Sequence, residues 1–163
     1  MSKIIYRKVS SEDKNWINKL IRKHWGSEQI VVHKTKYYPN KLDGFLAENS
    51  EDKIGLITFK IENKKCEIIT LDSLEENKGI GSQLVSLVIK EAKEKECKKV
   101  WLITTNDNIK AIYFYQKLGF QLKKIYPNAV KESRKIKPEI PLLNEKGIPI
   151  RDEFEFQLKI KAI

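Results

Sequence analysis

The chain has 163 residues and a net charge of +10, with 40% hydrophobic and 33% charged residues, seven Gly and five Pro. That is the length of one domain, with enough apolar content for a core and too little Gly, Pro or compositional bias for a collagen-like or disordered chain. No apolar run approaches membrane-spanning length, Cys66 and Cys97 make no disulfide framework, and 28 of the 32 cations are Lys scattered among 22 acids, which argues against a nucleic-acid partner.

Residues Ile4 to Val9 form a β-branched run and predict a first strand. Ser10-Ser11-Glu12-Asp13 reads as a helix start, and Trp16, Ile17, Leu20, Ile21 and Trp25 recur at helical spacing until Gly26. The stretch from Glu28 to Lys41 is ambiguous: Ile30-Val31-Val32 fits a strand and Tyr37-Tyr38-Pro39-Asn40 a loop. Gly44–Asn49, Lys53–Ile61 and Lys65–Leu71 predict three strands of an antiparallel meander joined by polar turns.

From Gly79 the period becomes helical, with Leu84, Val85, Val88, Ile89 and Ala92 on one stripe. Lys99–Thr105 carries the apolar run Val100-Trp101-Leu102-Ile103 of a strand buried on both faces. Asn106-Asp107-Asn108 opens a short helix with Ala111, Ile112, Tyr115 and Leu118 on one side, closed by Gly119, and Phe120–Ile125 returns as a strand. Pro127 to Asp152 holds four of the five prolines and only one possible helix, Asn128 to Ile136. Such an excursion is long enough to shape a binding pocket, with Arg134, Lys137 and Arg151 as candidates to hold an acidic group. Glu153–Ile160 alternates Phe154, Phe156, Leu158 and Ile160 against Glu153, Glu155, Gln157 and Lys159, the pattern of a half-buried antiparallel strand. The expectation is one domain over residues 1–163 with an excursion at 127–152, in the reduced cytoplasmic compartment, with no signal peptide and no metal-ligand spacing.

Two segments carry chemistry. Lys78-Gly79-Ile80-Gly81-Ser82-Gln83 joins a strand to a helix, where free backbone N–H groups bind anions and glycine lets a phosphate approach. It lacks the third Gly of a dinucleotide fingerprint and the Gly-Lys-Ser/Thr of a Walker loop. The second segment runs from Asn108 to Phe120, where Phe114 and Tyr115 are adjacent and cannot share one helix face.

Together these segments resemble the GNAT superfamily of acetyltransferases. Glu76-Asn77-Lys78-Gly79-Ile80-Gly81 stands where that family has Gln/Arg-x-x-Gly-x-Gly/Ala, and Asn108, Ala111, Phe114, Tyr115, Gly119 and Phe120 match its later motif. The resemblance implies an α+β fold: a mostly antiparallel sheet of six to seven strands flanked by about four helices. The stretches Arg134 to Pro141 and Gly147 to Glu153 further resemble a bacterial subgroup whose substrates are mostly undefined. The family resemblance implies acetyl transfer from acetyl-CoA to a primary amine, without a metal. Ile69, Thr70 and Leu71 would lie along the pantetheine arm, with the Leu71 N–H toward the thioester oxygen. Lys78, Gly79, Ile80, Gly81, Ser82 and Gln83 would cradle the pyrophosphate, Asn108 would cap its helix or touch the cofactor, and Tyr115 would protonate the thiolate. Glu67 and Asp72 are the candidate bases, Glu67 because it shares strand parity with Ile69 and Leu71. Glu76 departs from the motif: a carboxylate about 4 Å from a phosphate costs roughly 4 kcal/mol at an effective dielectric near 20, so it is expected to point away. It is also the argument for a second reading, a degenerate domain that binds acyl-CoA and regulates a partner. The closing strand offers an edge through which two copies could pair.

Overall fold

The computed structural model describes residues 3–161. The apolar patterns above become nine strands and four helices: β1 (Ile5–Lys8), α1 (Lys14–Trp25), β2 (Ile30–Val32), β3 (Thr35–Tyr37), β4 (Asp43–Glu48), β5 (Lys53–Glu62), β6 (Lys65–Ser73), α2 (Ile80–Glu94), β7 (Lys99–Thr105), α3 (Ile109–Lys117), β8 (Gln121–Tyr126), α4 (Ala129–Ile136) and β9 (Glu153–Lys159). Seven strands make one sheet in the order β1-β4-β5-β6-β7-β9-β8, and every neighbouring pair is antiparallel except β6 and β7.

The two sheet faces are covered by different helices. On one, α2 buries Ile80, Leu84, Val85, Val88 and Ala92 against Phe45, Ile57, Phe59, Cys66, Ile68, Val100, Leu102 and Phe156, and α3 adds Tyr115. On the other, α1 buries Ile17, Leu20 and Ile21 against Leu56 and Ile69, joined by Ile30 of β2. Strands β2 and β3 form a separate two-stranded ribbon. Its two-residue turn is His33-Lys34, both with positive φ, the geometry whose twist matches a tight hairpin. Tyr37 is therefore a strand residue; the turn that follows is Pro39–Lys41.

The start of α1 is fixed by charge. Asp13, 1% exposed, accepts from the Ser10 N–H at 2.8 Å. The same carboxylate takes both Arg7 guanidinium nitrogens at 2.8 and 2.9 Å and the Lys53 ammonium at 2.8 Å. This knot ties β1, α1 and β5 together. Gly26 ends the helix in the left-handed conformation (φ +80°).

The 127–152 excursion is pinned by its own cations. Arg134 donates to the carbonyls of Ile140, Pro141 and Ile150. Lys137, 3% exposed, donates to those of Trp25 and Gln29, and Arg151 pairs with Asp152. The expectation that these three hold an acidic ligand is thereby corrected, because each is already engaged within the chain: Arg134 on carbonyls of the excursion, Lys137 on carbonyls after α1, and Arg151 on the Asp152 carboxylate.

Candidate active site

Strands β6 and β7 pair over three residues only: Lys65 with Lys99, Cys66 with Val100 and Glu67 with Trp101. Beyond them β6 continues to Ser73 and β7 to Thr105 with no pairing between the two, so the strands part and leave a slot. The register of β6 against β5 also shifts here: Phe59 faces Ile68, Thr58 faces Thr70, and Ile69 is the extra residue of a β-bulge. The bulge breaks the alternation. Glu67 and Ile69 face α1 and the ribbon, whereas Leu71 faces α2, so the parity argument linking Glu67 to Leu71 fails. Thr70 is locked on the α1 side by a 2.6 Å hydroxyl–hydroxyl contact with Thr58.

The N-terminus of α2 stands at the mouth of the slot. Gly79 caps it at φ +70°, a conformation that favours glycine. The N–H groups of Ile80, Gly81 and Ser82 have no backbone partner among the described residues, as the first turn of a helix requires. Gln83 differs from expectation: its N–H donates to the Gly79 carbonyl at 3.0 Å and is not available to an anion. Gly81 packs its Cα face toward α3, and a Cβ there would meet the Phe114 ring at 3.3 Å and a Leu71 methyl at 4.0 Å. Its lack of a side chain thus lets α2 sit against α3 and β6.

The loop carboxylates are neutralised. Glu76 reaches the Lys110 ammonium at 3.0 Å, and Glu75 reaches Lys78 at 2.8 Å. Glu76 is turned toward the start of α3, as expected of a carboxylate that must leave the anion site free. Lys78 is engaged with Glu75. Asn108 caps α3, accepting from the Ala111 N–H at 3.2 Å.

Tyr115 is 6% exposed and sits edge-on to Phe114 and Phe120, ring centroids 5.1 and 5.4 Å away. Its hydroxyl has no hydrogen-bond partner among the described residues. Burial, and secondarily the Asp72 carboxylate, push its pKa up, so it stays protonated. Asp72 faces α1, where one oxygen bonds the His24 ring at 2.7 Å, which places this histidine at the back of β6.

The surroundings of Glu67, a candidate base in the sequence, were not foreseen. Glu67 is 9% exposed, and its carboxylate accepts from the Tyr37 hydroxyl at 3.1 Å. Burial pushes its pKa up to about 7, against the opposing pull of Tyr37, Lys60 and His33. It lines a cavity of about 200 Å³ with Lys60, Glu62, Asn63, Lys65 and Trp101, on the hairpin side of the point where β6 and β7 part. The first half of the polar side of β9 is equally buried: Glu153 is 3% and Glu155 6% exposed. Glu153 takes the backbone N–H and ring nitrogen of His33 at 3.0 and 2.9 Å, and Glu155 the Tyr126 hydroxyl at 2.9 Å. The alternation on β9 was legible. What covers its polar side, a ribbon about 120 positions earlier, leaves no local signal. A larger cleft of about 470 Å³ lies at the opposite end of β7 and β9 and is lined by Lys98, Lys99, Lys123 and Lys159, with no acid or nucleophile. Among the described residues no group of three or more His, Cys, Asp or Glu could hold a metal ion, and no helix is long and apolar enough to cross a membrane.

This geometry agrees with what the chain is similar to. The model of the acetyltransferase (GNAT) family matches residues 14–120. The uncharacterized protein YdhI of Bacillus subtilis (strain 168) is 48% identical over 144 residues, covering 88% of this chain and 90% of that protein. N-alpha-acetyltransferase 30 of Xenopus laevis is 33% identical over 117 residues, covering 64% of this chain and 43% of that protein. Among solved structures, a GNAT family acetyltransferase from Elizabethkingia anophelis with acetyl-CoA bound superposes with a TM-score of 0.69 at 22% identity, covering 98% of this chain and all of that one.

Proposed function

Since the chain belongs to the GNAT family of acetyltransferases, we propose that its slot binds acetyl-CoA and transfers the acetyl group to a primary amine. The observation that carries this reading is the parting of β6 from β7 with the open first turn of α2 at its mouth. Three free N–H groups and a left-handed Gly79 suit a pyrophosphate, and the unpaired edge of β6 suits an extended amide arm. The Glu75–Lys78 and Glu76–Lys110 pairs remove the charge objection to an anion there, which favours a working transferase over a degenerate domain.

Acetyl-CoA supplies a thioester activated toward acyl transfer. The Leu71 N–H, on the unpaired edge, donates to the thioester oxygen as charge grows on it. Glu67 takes the proton of the attacking amine, whose ammonium form has a reference pKa of about 10.4 and cannot attack. The C–N bond forms, the C–S bond breaks, and Tyr115 returns a proton to the thiolate. The amine enters on the α1 and ribbon face, where Glu67 points, while the pyrophosphate lies toward α2.

Calorimetric titration with acetyl-CoA and with CoA tests the binding step. The wild type is expected to bind with a Kd in the micromolar range, about −8 kcal/mol. Gly81→Glu is expected to lose at least about 100-fold, because it puts a carboxylate in the first turn of α2 and its Cβ presses on the Phe114 ring. Equal affinities in the two proteins would rule out the α2 mouth as the cofactor site. Tyr115→Phe is expected to lower kcat by about tenfold without changing acetyl-CoA affinity: a thiol of reference pKa near 8.5 leaves passably without an acid. A kcat unchanged within error, read from CoA release with amines as acceptors, removes Tyr115 from the mechanism.

A further inference from the structure

We propose that Tyr37, on the ribbon outside the main sheet, is the positioning residue for Glu67: its hydroxyl holds one carboxylate oxygen and leaves the other facing the cavity. The inference rests on Glu67 being the base.

The geometry is specific to this pair. Tyr37 donates to Oε1 of Glu67 at 3.1 Å, and no other residue among those described hydrogen-bonds to that carboxylate. The charged groups that face it are otherwise engaged or set back. Lys60 of β5 pairs with Glu62 at 3.4 Å. His33, at the ribbon turn, is held by Glu153 of β9, and Glu155 of β9 is held by Tyr126. Lys65 lies two residues before Glu67 on β6, at the cavity rim. Glu67 therefore sits 9% exposed without a paired cation, and a single phenol defines its orientation.

The donor direction is fixed. Burial first, and then the neighbouring Glu67 charge, push the Tyr37 hydroxyl above its ordinary range, so the proton stays on the tyrosine wherever the carboxylate titrates. A hydrogen bond to the ionised form favours that form. Tyr37 thus keeps Glu67 more readily ionised than burial alone would leave it, and restricts its rotamers.

Carbon-13 NMR of protein labelled at the glutamate carboxyl carbons tests this directly. The Glu67 resonance is the one lost in Glu67→Gln. In Tyr37→Phe, which keeps the ring and its packing, the Glu67 midpoint is expected to rise by about one pH unit. A midpoint that is unmoved or lowered overturns the proposal. In parallel, CoA release is followed with a synthetic peptide bearing a free amino terminus. At pH 7 Tyr37→Phe is expected to lower kcat/KM by about fivefold, with recovery at higher pH and no further loss in a Glu67→Gln background. A purely structural Tyr37 would cost the same in both backgrounds and at every pH. If Glu67→Gln itself keeps the wild-type rate, the base assignment fails, and the positioning role falls with it even where the NMR midpoint moves.

Discussion

Glu67→Gln is expected to lower kcat by about 10²- to 10³-fold, with acetyl-CoA affinity preserved, and to abolish the acidic limb of the pH profile. The sign follows from the site. A base must be ionised to accept a proton, and burial lifts the Glu67 carboxyl to about 7. The wild-type rate therefore rises with pH and levels off above that value. Glutamine keeps the shape and the Tyr37 contact but cannot take the proton, so the variant is flat through the same range. A proton affinity close to the working pH is the compromise that general-base catalysis favours. An ordinary surface glutamate, with a reference pKa near 4.3, would be ionised throughout and too weak a base to help. A variant within a fewfold of wild type, with the limb still present, would assign the base elsewhere, and Asp72 is the next carboxylate in line.

The second large effect is on stability. Asp13→Asn is expected to cost about 3 kcal/mol, read from urea unfolding with an unchanged m-value, and to lower Tm by roughly 6–12 °C. The carboxylate is 1% exposed and closes the charges of Arg7 and Lys53, which are themselves about one-third exposed and can partly rehydrate when it is lost. The hydrogen bonds from Arg7 hold the Asp13 carboxyl far below the usual carboxylate range. Its contribution is therefore complete above the unfolded-state value near 3.9 and is lost as pH falls below it. Wild type and variant should converge in stability through that acidic range. A constant gap down to low pH would mean that the cost comes from packing around the amide rather than from the charge.

Much of the frame was readable from the chain. The stripes of α2 and α3, the alternation of β9 and the capping role of Asn108 are local patterns, and local patterns are what a sequence displays. The family motif located Gly79, Gly81 and Tyr115. What it did not display is set by partners far along the chain. The bulge at Ile69 exists only in relation to β5, so counting along β6 gave Glu67 and Leu71 the same face when they have opposite ones. Glu76 looked like a defect in the anion loop because Lys110, its partner, stands 34 positions later. Tyr37 was read into a loop since three-residue strands barely register as alternation, although the run from Ile30 to Tyr37 around a tight turn is the one cue that could have found it. Glu153 and Glu155 carried the polar half of a clean alternation, and polarity alone does not say whether water or a second layer of protein lies over it.

The three-pair contact between β6 and β7 also governs how the molecule must be built. In one half of the sheet, β4, β5 and β6 are joined by short hairpin connections and can form early from local contacts, whereas β1 reaches β4 across α1 and the ribbon. The other half is threaded: β9 lies between β7 and β8 although it follows both in the chain. Strand β7 pairs with β9 across the whole length of α3, β8 and the proline-rich excursion, so that half gains its middle strand last. The slot is the junction of the two halves, and Glu153 and Glu155 arrive with the late strand. A chain interrupted within the excursion would retain β7 but lose the β9 strand that pairs along its whole length, so the wall of the slot opposite β6 is the last part of the site to be fixed in place.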